Sequence, residues 1–252
     1  LHPVAHSFPT RRSSDLWSKE TGDFTYYISG TFSQYKNEII NINEEYRPYD
    51  YMKREGESVG QHFGWESAGF YSSENDIENS ATTQFGDVEP GDIKYVNQNN
   101  DDVIDEFDQV PIGNPSTPEI YYSTNLGLGY KGFHISALFQ GTEKSSAYLN
   151  EPHVFWPLRS NDNISTWYDN YWSQNNTSGA ELPRLTTEAN NNNFRKNDIW
   201  IRDNSYLKLR YAEISYSLPK NFVSDFSLQK VRIYLRGRNL FTMDDIEYVD
   251  PE

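Results

Sequence analysis

The sequence predicts an all-β protein: a partial antiparallel transmembrane β-barrel carrying long loops outside the membrane. Three observations carry this reading. Long runs alternate apolar and polar residues with period 2, as strands between an apolar and an aqueous medium must. The 252 residues are 15% aromatic, with 19 Tyr, yet mean hydropathy is -0.82. Strands that give only half their residues to lipid, joined by long polar loops, account for both. No run of about 18 apolar residues occurs, so no transmembrane helix is read.

Charge and composition narrow the classes further. A net charge of -15 and a pI near 4.7 argue against nucleic acid as partner, because phosphate binding needs a basic face. The absence of cysteine excludes a disulfide framework and thiol–metal sites. No signal peptide is visible.

In chain order, His6 to Leu16 reads HSFPTRRSSDL and resembles one reading frame of a common sequencing-library adapter. Residues 1–16 are therefore set aside as an artefact, and residues 17–252 are read as the protein. Phe24 to Ser33 is the first strand: Phe24, Tyr26, Ile28, Gly30 and Phe32 share one side, and Thr25, Tyr27, Ser29, Thr31 and Ser33 the other. Residues 35–57 read as a connection and Val59 to Tyr71 as a weaker strand. Ser72 to Pro118 is acidic and rich in Gly, Asn and Pro, hence a long loop. Ile120–Tyr130 and Phe133–Gln140 alternate around Lys131-Gly132, a hairpin signal.

Thr142 to Asn197, with Trp156, Trp167, Trp172 and the Asn190–Asn193 run, is a second long loop. Its tryptophans are packing anchors, an interfacial girdle, or platforms for sugar rings. Ile199 to Leu218 and Val231 to Phe241 form a final hairpin through Pro219–Ser227. The first of these is too long for one phase: Leu207, Leu209 and Tyr211 are apolar on one parity, Ala212, Ile214, Tyr216 and Leu218 on the other. That change predicts a β-bulge near Tyr211–Ala212, or an upper half standing above the membrane. The second run is expected to be clean, its Arg232, Arg236 and Arg238 on the polar face either forming a ladder with acidic groups of adjacent strands, since unpaired like charges in a row repel, or binding an anionic solute.

Short turns on one side and long loops on the other are the asymmetry of outer-membrane barrels. By strand parity the 35–57 connection falls on the short-turn side, which leaves the strand count in question. Six strands cannot close such a barrel, which starts at about eight, so the wall is expected to continue in strands outside this chain.

The sharpest local motif is Asn97–Asp108, NQNNDDVIDEFD. Asn97, Asn99, Asp101, Asp105 and Asp108 place oxygen side chains at loop positions 1, 3, 5, 9 and 12, and Val103 offers its carbonyl at position 7. This is the spacing of a twelve-residue Ca²⁺ loop. Position 1 is Asn rather than Asp, and position 6 is Asp102 where the motif wants Gly; Asp accepts the left-handed conformation better than most residues. The competing reading is an acidic loop that keeps this geometry without the ion. For catalysis the residues offer little. His2 and His6 fall in the excluded tail, and His62, His134 and His153 are dispersed without metal-ligand spacing. No nucleophile elbow or phosphate-cradling loop occurs.

Four stretches in register resemble one family. Pro90–Gly141 is similar to the late barrel of SusC/RagA-type TonB-linked outer-membrane transporters: a GDIKY lead, the calcium-type loop, an IGNP turn, and strand–YKGF–strand ending in FQG. Ile201–Pro219, Val231–Thr242 and YVDPE at Tyr248–Glu252 resemble its following segments. The resemblance implies about six strands of a 22-stranded barrel in the cell outer membrane, with plug domain and TonB box upstream and a final strand beyond Glu252. It also implies membrane lipid around the wall, a SusD-like surface lipoprotein as partner, and TonB-energised import of oligosaccharides or, in some cases, peptides. Asp102 departs from the family's Gly. The rival reading is a secreted calcium-binding, glycan-binding β-rich module, in which a second sheet would cover the apolar strand faces.

Overall fold

The computed structural model describes residues 4–7, 11–150, 158, 164, 166–224, 228–246 and 250. Six long strands form one antiparallel sheet: β1 (Arg11–Thr21), β2 (Phe24–Gln34), β3 (Ile120–Tyr130), β4 (Phe133–Glu143), β5 (Tyr206–Ser217) and β6 (Arg232–Asp244). Each pairs with its sequence neighbour, in the order β6-β5-β4-β3-β2-β1.

Chain chemistry explains the turns. Lys131 (φ 45°) and Gly132 (φ 88°) both take left-handed backbone between the paired ends Tyr130 and Phe133, the requirement of a two-residue hairpin whose twist matches its strands. Gly22 (φ 61°) opens the equally short turn between Thr21 and Phe24. The β5–β6 connection holds a short helix, Lys220–Ser224. All three short connections lie at one end of the sheet. The two long excursions, residues 35–119 and 144–205, lie at the other.

This arrangement corrects the strand count. Val59–Tyr71 is not a wall strand: it supplies Phe63–Trp65, paired with Gln109–Pro111, and Ser67–Phe70, paired with Ile93–Tyr95, both inside the first excursion. With it removed, the parity of long and short connections is regular. The sixth strand is β1 instead, which includes Arg11–Leu16 of the set-aside stretch, and Val4–Ser7 pairs with Asn37–Asn41. The side-chain phase of β1 is unlike that of the other five strands. Its register puts Ser13 (opposite Phe32) and Asp15 (opposite Gly30) on the apolar side of the sheet, where a charge is destabilising.

On the other five strands, cross-strand rows such as Ile28–Leu126–Ala137–Ala212 and Leu128–Ile135–Ile214–Leu235 build one apolar face. That face is uncovered: Ile135, Ile214 and Leu235 are 52%, 56% and 78% exposed. At its short-turn end Phe24 stacks on Tyr130 and Phe133 on Tyr216, each pair with ring centroids 4.3 Å apart. An apolar band ending in aromatic rings is the outer surface of a membrane barrel. Among the described residues no helix is long and apolar enough to cross a membrane, which says nothing of spanning strands.

The expected bulge is present, one residue earlier than read. Leu209 pairs with Phe139 and Tyr211 with Leu138, so the register shifts by one residue at Arg210. Strand β6 is irregular at the same level, contrary to the expected clean run: Phe241 faces Leu209 and Arg238 faces Tyr211, so Asn239 (φ 50°) and Leu240 are looped out. The run Ile199–Leu218 is also broken. Ile201–Asp203 pairs with Ser146–Tyr148 in the second excursion before β5 begins.

The buried core lies outside the sheet, in the excursions. One cluster gathers Trp65, Ile93, Tyr95 and Ile104, with Phe70, Phe85 and Ile199 against it; another gathers Tyr168, Leu182 and Trp200, with Trp167 and Ile199. Ile199 touches both clusters, so the two excursions share one folded cap over the sheet's end.

Candidate functional site

The polar face of the sheet is organised around Glu213, 4% exposed and flanked by two arginines of β6. Arg236 donates from Nε to Oε2 at 2.7 Å, Arg232 donates to Oε1, and Arg232 also reaches Ser215 Oγ at 2.9 Å. The register dictates this: Glu213 lies opposite Arg236, and Arg232 opposite Ser217. The ladder expected from the sequence therefore forms for Arg232 and Arg236. Arg238 has no ion pair among the described residues and faces Tyr211, which hydrogen-bonds Asn125 at 3.3 Å. The face continues through Arg210 Nε donating to Gln140 at 3.0 Å and Thr31 Oγ1 with Ser123 Oγ at 2.7 Å. Such a surface of paired charges and hydroxyls suits a water-filled interior, not a dry core.

The twelve-residue loop sits in the first excursion. Asn100 (φ 58°) and Asp102 (φ 63°) both take left-handed backbone, so Asp102 adopts the turn that the motif reserves for Gly. Asp108 is fully buried, its carboxylate accepting the backbone N–H of Gln98 at 2.7 Å and of Asp105 at 2.8 Å. Burial raises its pKa above the ordinary range despite those two donors. Asp101 accepts from Val103 N and Asn99 Nδ2, and Asp105 accepts from Phe107 N. Asn97 Oδ1 is buried without a partner, an orphaned acceptor at loop position 1 where a cation would bind. Among the described residues no three acidic or histidine side chains stand as a ready metal-holding group. The fit to Ca²⁺ therefore rests on the orphaned oxygen, the buried carboxylate and the left-handed turns. Tyr51, whose hydroxyl donates to the Phe107 carbonyl at 2.8 Å, has its pKa pushed up to about 12 by burial, then by Asp108, Tyr49, Asp101 and Asp105.

The described tryptophans of the second excursion pack. Trp172 is 8% exposed, and Trp167 meets Trp200 edge-on at 6.0 Å. Trp156 and His153 lie outside the described residues. His62 is half-buried and donates from Nε2 to the Ser146 carbonyl at 3.0 Å, a tie between the excursions; burial lowers its pKa. Missed from sequence was Asp92, a fully buried carboxylate gripped by Arg184, Asn190 and Asn193. The Asn190–Asn193 run was its only sequence signal.

No family model matches the sequence. TonB-dependent receptor P3 of Formosa agariphila is 30% identical over 243 residues, covering 91% of this chain, and TonB-dependent receptor P26 of the same organism is 26% identical over 198 residues, covering 78%. The chain belongs to the TonB-dependent receptors. It spans 23% and 19% of the length of those two curated relatives. In fold it aligns with a solved structure described as the RagAB peptide transporter, with a TM-score of 0.67 at 17% identity, covering 96% of this chain and 26% of that one. The same importer in an 'open-open' state gives 0.64 at 19% identity, covering 96% and 25%. TonB-dependent receptors sit in the outer membrane and are not enzymes. The uncovered apolar face is thus the lipid-facing side, the Glu213 ladder lines the lumen, and the secreted-module reading falls: no second sheet covers that face among the described residues.

Proposed function

We propose that this chain forms part of the wall and extracellular cap of a receptor that imports oligosaccharides or peptides through the outer membrane, energised by TonB and lidded by a SusD-like lipoprotein. One observation carries the reading: a single sheet with lipid on one side and a charged, hydrogen-bonded lumen on the other, roofed at one end by a folded cap. Peptides gain support from the fold likeness to a peptide transporter, and oligosaccharides from the resemblance of the motifs. In this reading Glu213 offsets one of the two charges of Arg232 and Arg236, so together with Arg238 this stretch of the lumen offers solute a wet, polar and net cationic wall.

Uptake of labelled oligosaccharide and oligopeptide mixtures by cells with the receptor gene intact, deleted or restored tests this. Import is expected to fall on deletion, return on restoration and require TonB. Recovery of the full-length protein in a soluble secreted fraction would overturn the reading.

The same reading includes a weak Ca²⁺ site held by Asn97, Asn99, Asp101, the Val103 carbonyl, Asp105 and Asp108. When bound, the ion would neutralise the buried Asp108 and fix the fold of the first excursion. Filling it requires carboxylates to share oxygens that now accept backbone N–H groups, hence low affinity.

A further inference from the structure

The two excursions leave the wall from different hairpins, the first between β2 and β3 and the second between β4 and β5. Nothing in that connectivity obliges them to stay together. Asp92 does. Its turn is set by Gly91 (φ 93°), where an added Cβ would come within 2.3 Å of the Trp172 ring of the second excursion. Apart from the Glu89 backbone N–H, every donor to the Asp92 carboxylate comes from the second excursion: Arg184 Nε at 2.7 Å, Asn193 Nδ2 at 2.8 Å and Asn190 Nδ2 at 3.0 Å.

The asparagines then act as substitutes for a strand. Asn193 Oδ1 accepts the Ile93 N–H at 2.8 Å, and Asn192 Nδ2 donates to the Ile93 carbonyl at 2.7 Å. Tyr95 donates to the Asn192 carbonyl at 2.6 Å while Asn197 Nδ2 donates to the Tyr95 hydroxyl at 2.9 Å. Asn192, Asn193 and Asn197 are at most 1% exposed. In so dry a site each broken bond strands a buried donor or acceptor that water cannot reach. Partial separation is therefore worse than either full engagement or full release.

We infer that the two excursions are pinned at Asp92 into one rigid cap, so that any opening at this end of the barrel displaces both together. The inference rests on the excursions lying outside the membrane and is independent of what is imported.

Amide hydrogen exchange on the full-length receptor in lipid nanodiscs tests it. Asp92→Ala, in the first excursion, is expected to speed exchange ~10-fold or more across residues 182–200 of the second as well as near Ile93. Asn192→Ala is expected to do the reverse, exposing Ile93–Tyr95. Glu188→Ala, on an exposed residue of the second excursion, leaves both unchanged. Faster exchange confined to the excursion that bears the substitution overturns the inference. Should Asp92→Ala fail to assemble, nitroxide labels at Glu78→Cys and Glu188→Cys, both exposed positions, in the otherwise native receptor decide instead. One narrow distance distribution supports a single body; a broad or two-peaked one refutes it.

Discussion

Replacing Glu213 tests whether the lumenal ladder supports the wall or merely decorates it. The carboxylate is 4% exposed and is shared by two guanidinium groups, with Arg236 at 2.6–2.7 Å. Hydrogen bonds to charged groups contribute about 1.5–3 kcal/mol each, which would make the pair worth several. The arginine side chains, however, are 45% and 39% exposed, so lumenal water takes over much of what the carboxylate gave. Glu213→Gln keeps the shape and one acceptor and is expected to cost about 2 kcal/mol. Most of that reflects two like charges left side by side. Removing one of them should therefore relieve the loss: in a double-mutant cycle, Arg232→Met with Glu213→Gln should show coupling of about 1 kcal/mol. Urea unfolding of the full-length receptor in lipid vesicles reads both, from the midpoint at unchanged slope. A Glu213→Gln midpoint indistinguishable from wild type, with no coupling to Arg232, would refute the ladder's role.

Two further outcomes follow from the first excursion. Asp102→Gly relieves a non-glycine residue held at φ 63°, so the loop should gain about 1 kcal/mol and calorimetry should show tighter Ca²⁺ binding than wild type; no heat from either protein at millimolar calcium removes the metal site. Asp76, whose pKa is lowered to about 2 by the Ser72 backbone N–H and then by Lys94, stabilises the short helix Glu74–Glu78 and its tie to Ile93–Tyr95. A depressed carboxyl contributes fully above its unfolded value of 3.8 and loses that contribution as pH falls toward 2. Exchange at residues 72–80 should accordingly rise between pH 4 and pH 2 in wild type and show no such step in Asp76→Asn.

How much was legible follows from where each residue finds its partner. Strands β2 to β6 are written in local alternation, because lipid and water act on every second residue of a long run. The phase change at Leu209–Tyr211 was readable for the same reason. The cap was not. Phe63–Trp65 and Ser67–Phe70 are too short to show a period, and their partners, Gln109–Pro111 and Ile93–Tyr95, lie far along the chain. Three glycines and two phenylalanines between residues 59 and 71 therefore imitated a wall strand. Asn190–Asn193 read as a polar loop because composition does not reveal side-chain amides standing in for a missing strand. The calcium-type loop was legible in spacing and in the turn at Asp102; that Asp108 would be buried and backbone-bonded was not.

Within β5, Arg210 is the residue at which the register with β4 shifts. Below it, odd and even positions face one pair of media; above it, they exchange. Removing that single residue would therefore straighten the strand rather than invert it. Leu209 and Tyr211, already on opposite faces through their partners Phe139 and Leu138, would become sequence neighbours in one continuous alternation, with Lys208 and Tyr206 still facing the lumen and Leu207 and Leu209 still facing lipid. Arg210 is thus the residue at which two phases of one sequence are reconciled with a single lipid-facing side.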